Sequence, residues 1–167
     1  MEKSIEEVAA FMKENSLMLV TAESCTAGLI AATLADIPGA GQLLDCAFVV
    51  YSPEAKQRCL SVRSETLDQF NLTSEEVARE MAHGALGNSR ANVSVSNTGV
   101  TDDTDDDIPA GTQCFAWAFE TDSADKRIVF SETKRFSGDR VSIREASANY
   151  ALQRIPHYFS RLDAGDT

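Results

Sequence analysis

Apolar positions recur along this chain in two rhythms. Leu17-Met18-Leu19-Val20 is a short apolar run suited to a buried strand, and Ala47-Phe48-Val49-Val50-Tyr51 is a second, β-rich one. Strands are also predicted at Val93 to Asn97, Thr112 to Glu120 and Lys126 to Phe136, the last two joined by the turn-like Thr121-Asp122-Ser123-Ala124-Asp125. Between the runs, spacings of three and four mark helices. Ile5, Val8, Ala9 and Met12 share one helical face, with Ser4 and Glu7 forming a capping box ahead of it. Thr73 with Glu76 repeats that device before a helix containing Val77, Ala78, Met81, Ala82 and Ala85. A final helix is expected from about Val141 to Ile155, and Asp163 to Thr167 reads as a frayed tail. Strands alternating with helices predict an α/β fold.

Two strand-to-helix junctions carry the candidate chemistry. In open α/β sheets the carboxyl ends of the strands line the ligand crevice, so residues at successive junctions can face one pocket. At the first, Thr21-Ala22-Glu23-Ser24-Cys25-Thr26-Ala27-Gly28 leads into the helix-compatible stretch Gly28 to Ala35. Ser24, Cys25 and Thr26 thus sit near a helix N-terminus, where free N–H groups favour a developing negative charge. The bland alternative is that Ser24 or Thr26 merely caps the helix. At the second junction Ser52 reads as an N-cap and Pro53 as the first helical residue, which puts Lys56 about one turn into the new helix. A lysine acts as a general base only where desolvation or nearby positive charge lowers its pKa; otherwise it is a solvated surface residue. A Ser–Lys amidohydrolase site is the leading expectation.

Composition narrows the alternatives. With 15 basic and 26 acidic side chains among 167 residues, the net charge of −11 argues against nucleic acid or an anionic membrane as main partner. The N-terminus has no apolar signal core, and no apolar run is long enough to span a bilayer, so a cytoplasmic protein is expected. Cys25, Cys46, Cys59 and Cys114 form no Cys-x-x-Cys pair, which speaks against zinc or a dithiol and for reduced thiols. Cys25 neighbours Ser24 at a helix start that would favour a thiolate, but only His83 and His157 exist, one in an expected surface helix and one after Pro156. A histidine-free mechanism is the economical one.

The two junction motifs, the Ile37-Pro38-Gly39-Ala40 turn between them and the later Phe136-Ser137-Gly138-Asp139-Arg140 together resemble the CinA C-terminal-domain family, which includes nicotinamide-mononucleotide deamidases. The resemblance covers roughly Ile5 to Phe159. It implies a single three-layer α/β/α sandwich with a mixed sheet over residues 1–160, followed by a flexible tail at 161–167. It further implies a homodimer that hydrolyses the carboxamide of nicotinamide mononucleotide to nicotinic acid mononucleotide and ammonia, without cofactor or metal. By motif, Ser24 would be the nucleophile, Lys56 its base and Tyr51 a proton-relay or orienting group. Glu23, Cys25, Thr26, Gly28, Thr98, Gly99, Arg140 and Arg144 would then surround the pyridine nucleotide.

One segment departs from the family pattern. Where members carry a loop of the form G-I-A-G-P and a further Gly-rich stretch before a P-V-G-T turn, this chain reads Thr98-Gly99-Val100-Thr101-Asp102-Asp103-Thr104-Asp105-Asp106-Asp107-Ile108-Pro109-Ala110-Gly111-Thr112. Glycines let a backbone approach a ligand closely, whereas clustered carboxylates repel a phosphate. An EF-hand fails on its own template, because Ile108 stands where the glycine belongs and Cys114 where the bidentate glutamate belongs. Arg140 and Arg144, four apart on one helical face, could grip a phosphate or pair with Glu145 or the acidic loop. Three function classes stay open: an active nucleotide amidohydrolase, the same chemistry on a less anionic substrate, and a non-catalytic paralogue acting through protein contacts.

Overall fold

The computed structural model describes residues 2–123 and 126–163. Five strands form one sheet in the order β2-β1-β3-β4-β5: β1 Leu19–Glu23, β2 Leu44–Val49, β3 Val93–Gly99, β4 Thr112–Glu120 and β5 Arg127–Arg135. β1 pairs in parallel with β2 and β3, while β3, β4 and β5 are successively antiparallel, so the sheet is mixed. Helices cover both faces, as the α/β expectation required. On one side lie α1 Ile5–Glu14, α2 Leu29–Ala35, α6 Arg140–Gln153 and α7 Ile155–Leu162. On the other lie α3 Pro53–Leu60 and α5 Glu75–Gly87, with the short α4 Ser64–Gln69 against α5.

The period-two alternation of β4 decides how closely each layer approaches. Phe115, Trp117 and Phe119 point to the α1/α6/α7 side, where Trp117 stacks near Phe115 and donates its Nε1–H to Ala151 O at 2.9 Å. Cys114, Ala116 and Ala118 point the other way, and these small side chains let α5 settle near the sheet. There Ser96 Oγ donates to Ala78 O at 2.6 Å. Gly84 completes the close fit: a Cβ on it would lie 1.9 Å from Leu60 O at the end of α3. A helix-interior glycine normally weakens its helix, but here it allows α3, the helix that bears Lys56, to lie against α5.

Three local expectations need correction. The N-cap of α5 is Ser74, whose side chain accepts from Val77 N, and not Thr73. Beyond the expected final helix the chain forms a further helix, α7, which uses Pro156 in its first turn, where a missing N–H costs nothing, and buries Ile155 and Tyr158. Arg161 and Leu162, assigned to the tail, belong to α7; residues 164–167, like Ala124 and Asp125 of the β4–β5 turn, lie outside the described residues. Among the described residues no helix is long and apolar enough to cross a membrane.

Replacing Gly84 by alanine should force α3 off α5, and overpacking of this kind costs about 1–3 kcal/mol. Urea denaturation of Gly84→Ala is expected to show that loss; an unchanged midpoint would mean that the α3–α5 contact is soft.

Candidate active site

The turn that leaves β1 is organised by a carboxylate. Glu23, fully buried at the strand end, accepts from Thr26 Oγ1 at 2.7 Å, Gly28 N at 3.0 Å and Ile30 N at 2.9 Å through Oε1, and from Ala31 N at 3.1 Å through Oε2. Three of these donors are main-chain N–H groups at the start of α2, which have no intrahelical partner. The cap expected of Ser24 or Thr26 is therefore supplied by Glu23, and the Glu23 carboxylate faces α2 instead of a ligand. Ala27 at φ 49° and Gly28 at φ 98° make the tight left-handed bend that brings the chain back to it. Ser24 Oγ is left free of capping duty.

Neighbouring strands hold the same turn from below. Asn97, beside Glu23 in the β1–β3 register, accepts Ser24 N on its main-chain oxygen and Thr26 N on Oδ1, each at 3.0 Å. Its Nδ2 donates to Gln113 Oε1 at 2.8 Å, and Gln113 Nε2 reaches Val100 O at 3.1 Å and Cys25 Sγ at 3.5 Å. Arg144, from α6, donates to Cys25 O at 2.9 Å and Thr26 O at 3.2 Å. Asn97 and Gln113 were not singled out from sequence. Their signal is that of polar side chains inside strands whose neighbours on the same face, Val95 and Phe115, are apolar.

Lys56 arrives from the second junction. Ser52 caps α3 by accepting Ala55 N at 3.0 Å, and Pro53 opens the helix, as the sequence predicts. One turn on, the Lys56 side chain runs back to the ends of β1 and β2, where it is 1% exposed. Its Nζ lies 3.0 Å from Ser24 Oγ, 2.9 Å from Val50 O and 3.1 Å from Tyr51 O. No carboxylate is among its hydrogen-bond partners, so burial dominates and pushes its pKa from 10.5 down to about 8. A neutral amine has two N–H groups and one lone pair; with the two carbonyls taking the N–H groups, the lone pair faces Ser24 O–H. This arrangement can take a proton from a serine near neutral pH.

Ser24 and Lys56 open onto a cleft of about 370 Å³ whose wall also includes Cys25, Tyr51, Asn71, Leu72, Thr73, Thr98, Gly99, Val100, Thr104 and Asp105. A larger hollow of about 590 Å³ beside α6 is lined in part by Arg154, which pairs with Glu132 at 2.9 Å, and by Lys134, which sits 4.1 Å from the Tyr150 ring centroid. The Ser24–Lys56 pair lines the smaller cleft. Tyr51 touches Lys56 through its main-chain carbonyl, not its phenol, and its side chain is largely exposed. Buried Thr98 donates to Leu72 O at 2.8 Å and so ties the α4–α5 connection to β3. Burial pushes the Cys25 thiol up, against activation as a thiolate. His83 and His157 are exposed and neither lines the cleft.

The acidic loop folds across the far wall. Asp102 Oδ2 pairs with Arg140 Nη1 at 3.1 Å, and the same nitrogen donates to Thr101 Oγ1 at 2.7 Å. Asp105 accepts Asn71 Nδ2 at 2.7 Å and Asp107 N at 2.9 Å. Arg140 and Arg144 are thus engaged with the acidic loop and the serine turn respectively, and not with Glu145.

Fold and site together define an α/β protein with a buried, histidine-free hydroxyl–amine pair at the carboxyl ends of its parallel strands. The chain belongs to the CinA C-terminal domain family, whose model matches residues 1–159. Nicotinamide-nucleotide amidohydrolase PncC of Shigella flexneri is 39% identical over 156 residues, covering 92% of each chain. A CinA-like protein of Chlorobium limicola is 36% identical over 94% of this chain, which spans only 37% of that longer relative. The crystal structure of competence/damage inducible protein CihA from Agrobacterium tumefaciens superposes with a TM-score of 0.82 at 34% identity, over 94% of this chain and 97% of that one.

Linkage supplies a test of the lysine. Between pH 8 and 10.5 the folded chain has released the Lys56 proton while the unfolded chain still binds it, so stability rises with pH there. The difference in unfolding free energy between the parent and Lys56→Met should move in the parent's favour by about 1.4 kcal/mol per pH unit across that window. A difference that stays flat from pH 8 to 10.5 would mean that Lys56 keeps its ordinary pKa.

Proposed function

We propose that the chain is an amidohydrolase that cleaves the carboxamide of nicotinamide mononucleotide to nicotinic acid mononucleotide and ammonia, with Ser24 as nucleophile and Lys56 as its base. The observation that carries this reading is the 3.0 Å contact between the buried Lys56 Nζ and Ser24 Oγ. The name of the Shigella flexneri relative supplies the substrate class. A homodimer belongs to the same reading and rests on the family resemblance alone; a cytoplasmic location is proposed with it.

The chemistry follows from the positions. Ser24 Oγ attacks the carboxamide carbon as its proton passes to Lys56 Nζ. The charge that develops on the carboxamide oxygen is met by the Cys25 N–H, which directly follows the nucleophile and makes no hydrogen bond among the described residues. Lys56 then hands its proton to the leaving nitrogen, the C–N bond breaks, and ammonia departs from an acyl-Ser24. Water attacks this ester, gives a proton to Lys56, and Ser24 Oγ recovers it. One water is consumed and one amide becomes an acid and ammonia. Tyr51, 55% exposed at the cleft, offers an aromatic face to the pyridinium ring.

Ser24→Ala should lose ammonia release by orders of magnitude while changing stability by no more than about 1 kcal/mol, since one hydrogen bond is removed. Full activity in Ser24→Ala would sink the nucleophile assignment, and activity lost only in a parallel Cys25→Ala variant would move the role to Cys25. The rate should rise with pH through about 8 as Lys56 becomes neutral. Lys56→Arg is expected to be inactive, because a guanidinium does not release its proton at usable pH; appreciable turnover in it would reduce Lys56 to a binding charge.

A further inference from the structure

We propose that Asp105 sets the substrate preference of this cleft, making it favour a ribosyl pyridinium carboxamide without a phosphate, such as nicotinamide riboside, over the phosphorylated nucleotide. The inference rests on the amidohydrolase reading and concerns the end of the substrate remote from the carboxamide.

Among the described residues lining the cleft, Lys56 and Asp105 are the two that carry a formal charge at neutral pH. Lys56 is neutral when it is ready to take the Ser24 proton. The standing charge of the active cleft is then the Asp105 carboxylate.

The nearby guanidiniums, whose positive charge reaches Cys25 in the cleft, each have other partners. Arg140 Nη1 is held by Asp102 Oδ2 at 3.1 Å and Thr101 Oγ1 at 2.7 Å. Arg144 is held by the carbonyls of Cys25 and Thr26, on the turn that carries the nucleophile, so recruiting it would loosen Ser24. A phosphate dianion entering this space meets the Asp105 carboxylate and must compete with Asp102 for Arg140 and with the serine turn for Arg144.

Asp105 is also fixed in place. Its Oδ2 accepts Asn71 Nδ2 at 2.7 Å from the α4–α5 connection, and its Oδ1 accepts Asp107 N at 2.9 Å. That connection is itself anchored to β3 by the Thr98–Leu72 hydrogen bond of 2.8 Å. The carboxylate cannot swing away without breaking a contact with the opposite wall. Its bond from Asn71 holds the Asp105 carboxyl below its usual pKa, so it stays ionised wherever Lys56 is active. Each oxygen keeps lone pairs for ribose hydroxyls, and the negative charge favours the pyridinium cation.

The test measures ammonia release from nicotinamide riboside and nicotinamide mononucleotide by the parent protein, Asp105→Asn and Asp105→Glu at low and high salt. The parent should show a kcat/KM at least tenfold higher for the riboside. Asp105→Asn, which can still accept the Asn71 hydrogen bond, should shift that ratio about tenfold toward the mononucleotide, with the shift shrinking as salt rises, and Asp105→Glu should restore the parent ratio. A parent that prefers the mononucleotide, or a ratio unchanged in Asp105→Asn, would overturn the proposal while leaving the amidohydrolase intact. Binding of both ligands to Ser24→Ala by calorimetry separates selection from turnover, and equal affinities there would also count against Asp105. No ammonia from either compound would remove the amidohydrolase reading and this proposal with it.

Discussion

A lysine ammonium buried against main-chain carbonyls and a serine hydroxyl, with no carboxylate to balance it, is the constraint on which the site depends. In water the charged amine is strongly favoured; where Lys56 lies, burial brings the neutral form within reach near pH 8. The fold arranges this by ending parallel strands β1 and β2 side by side and starting α3 at a fixed Ser52-Pro53 cap, so that one turn of helix returns the amine to the strand ends. A carboxylate partner would stabilise the fold and hold Lys56 protonated. Glu23, the nearest acid in sequence to Ser24, is turned instead into the N-terminus of α2, where four donors satisfy it.

The division of labour between the two charged residues has a consequence for Ser24. Because Glu23 caps the helix, the serine is spared the role that its position would otherwise assign to it. Asn97, Gln113 and Arg144 then fix the main chain around it from three elements, β3, β4 and α6. Rigid placement of this kind matters more for a nucleophile than added binding contacts do, since misplacement by about 1 Å costs on the order of a hundredfold in rate. On the opposite wall the acidic loop uses its carboxylates against Arg140 and Asn71.

Much of this was legible in the chain because the governing interactions are local. The Ser4–Glu7 capping box, the Ser52-Pro53 helix start and the apolar runs of the strands each act within a few residues, and they predict where Lys56 falls relative to Ser24. The alternation of large and small residues in β4 is equally local, although which layer each face meets is not. Misses arose where several local choices were nearly equal or where partners lie far apart. Thr73 and Ser74 are both competent caps, and only the direction in which the chain enters α5 selects Ser74. Pro156 lies in the first turn of α7, a helix not expected from sequence, whose apolar Ile155, Tyr158, Phe159 and Leu162 at helical spacing were the available sign. Asn97 and Gln113 meet across a β3–β4 register that no short window of sequence contains. The capping role of Glu23 needed the left-handed pair Ala27 and Gly28 to fold the turn back.

On the proposed reading Lys56 is a poised base and not a permanent cation. It is tested most directly by titrating the Lys56 side chain by NMR, with its resonance assigned by comparison with Lys56→Arg. Its midpoint should lie near the value of about 8 that burial imposes, well separated from the exposed lysines. A midpoint at or above the ordinary 10.5 would contradict it.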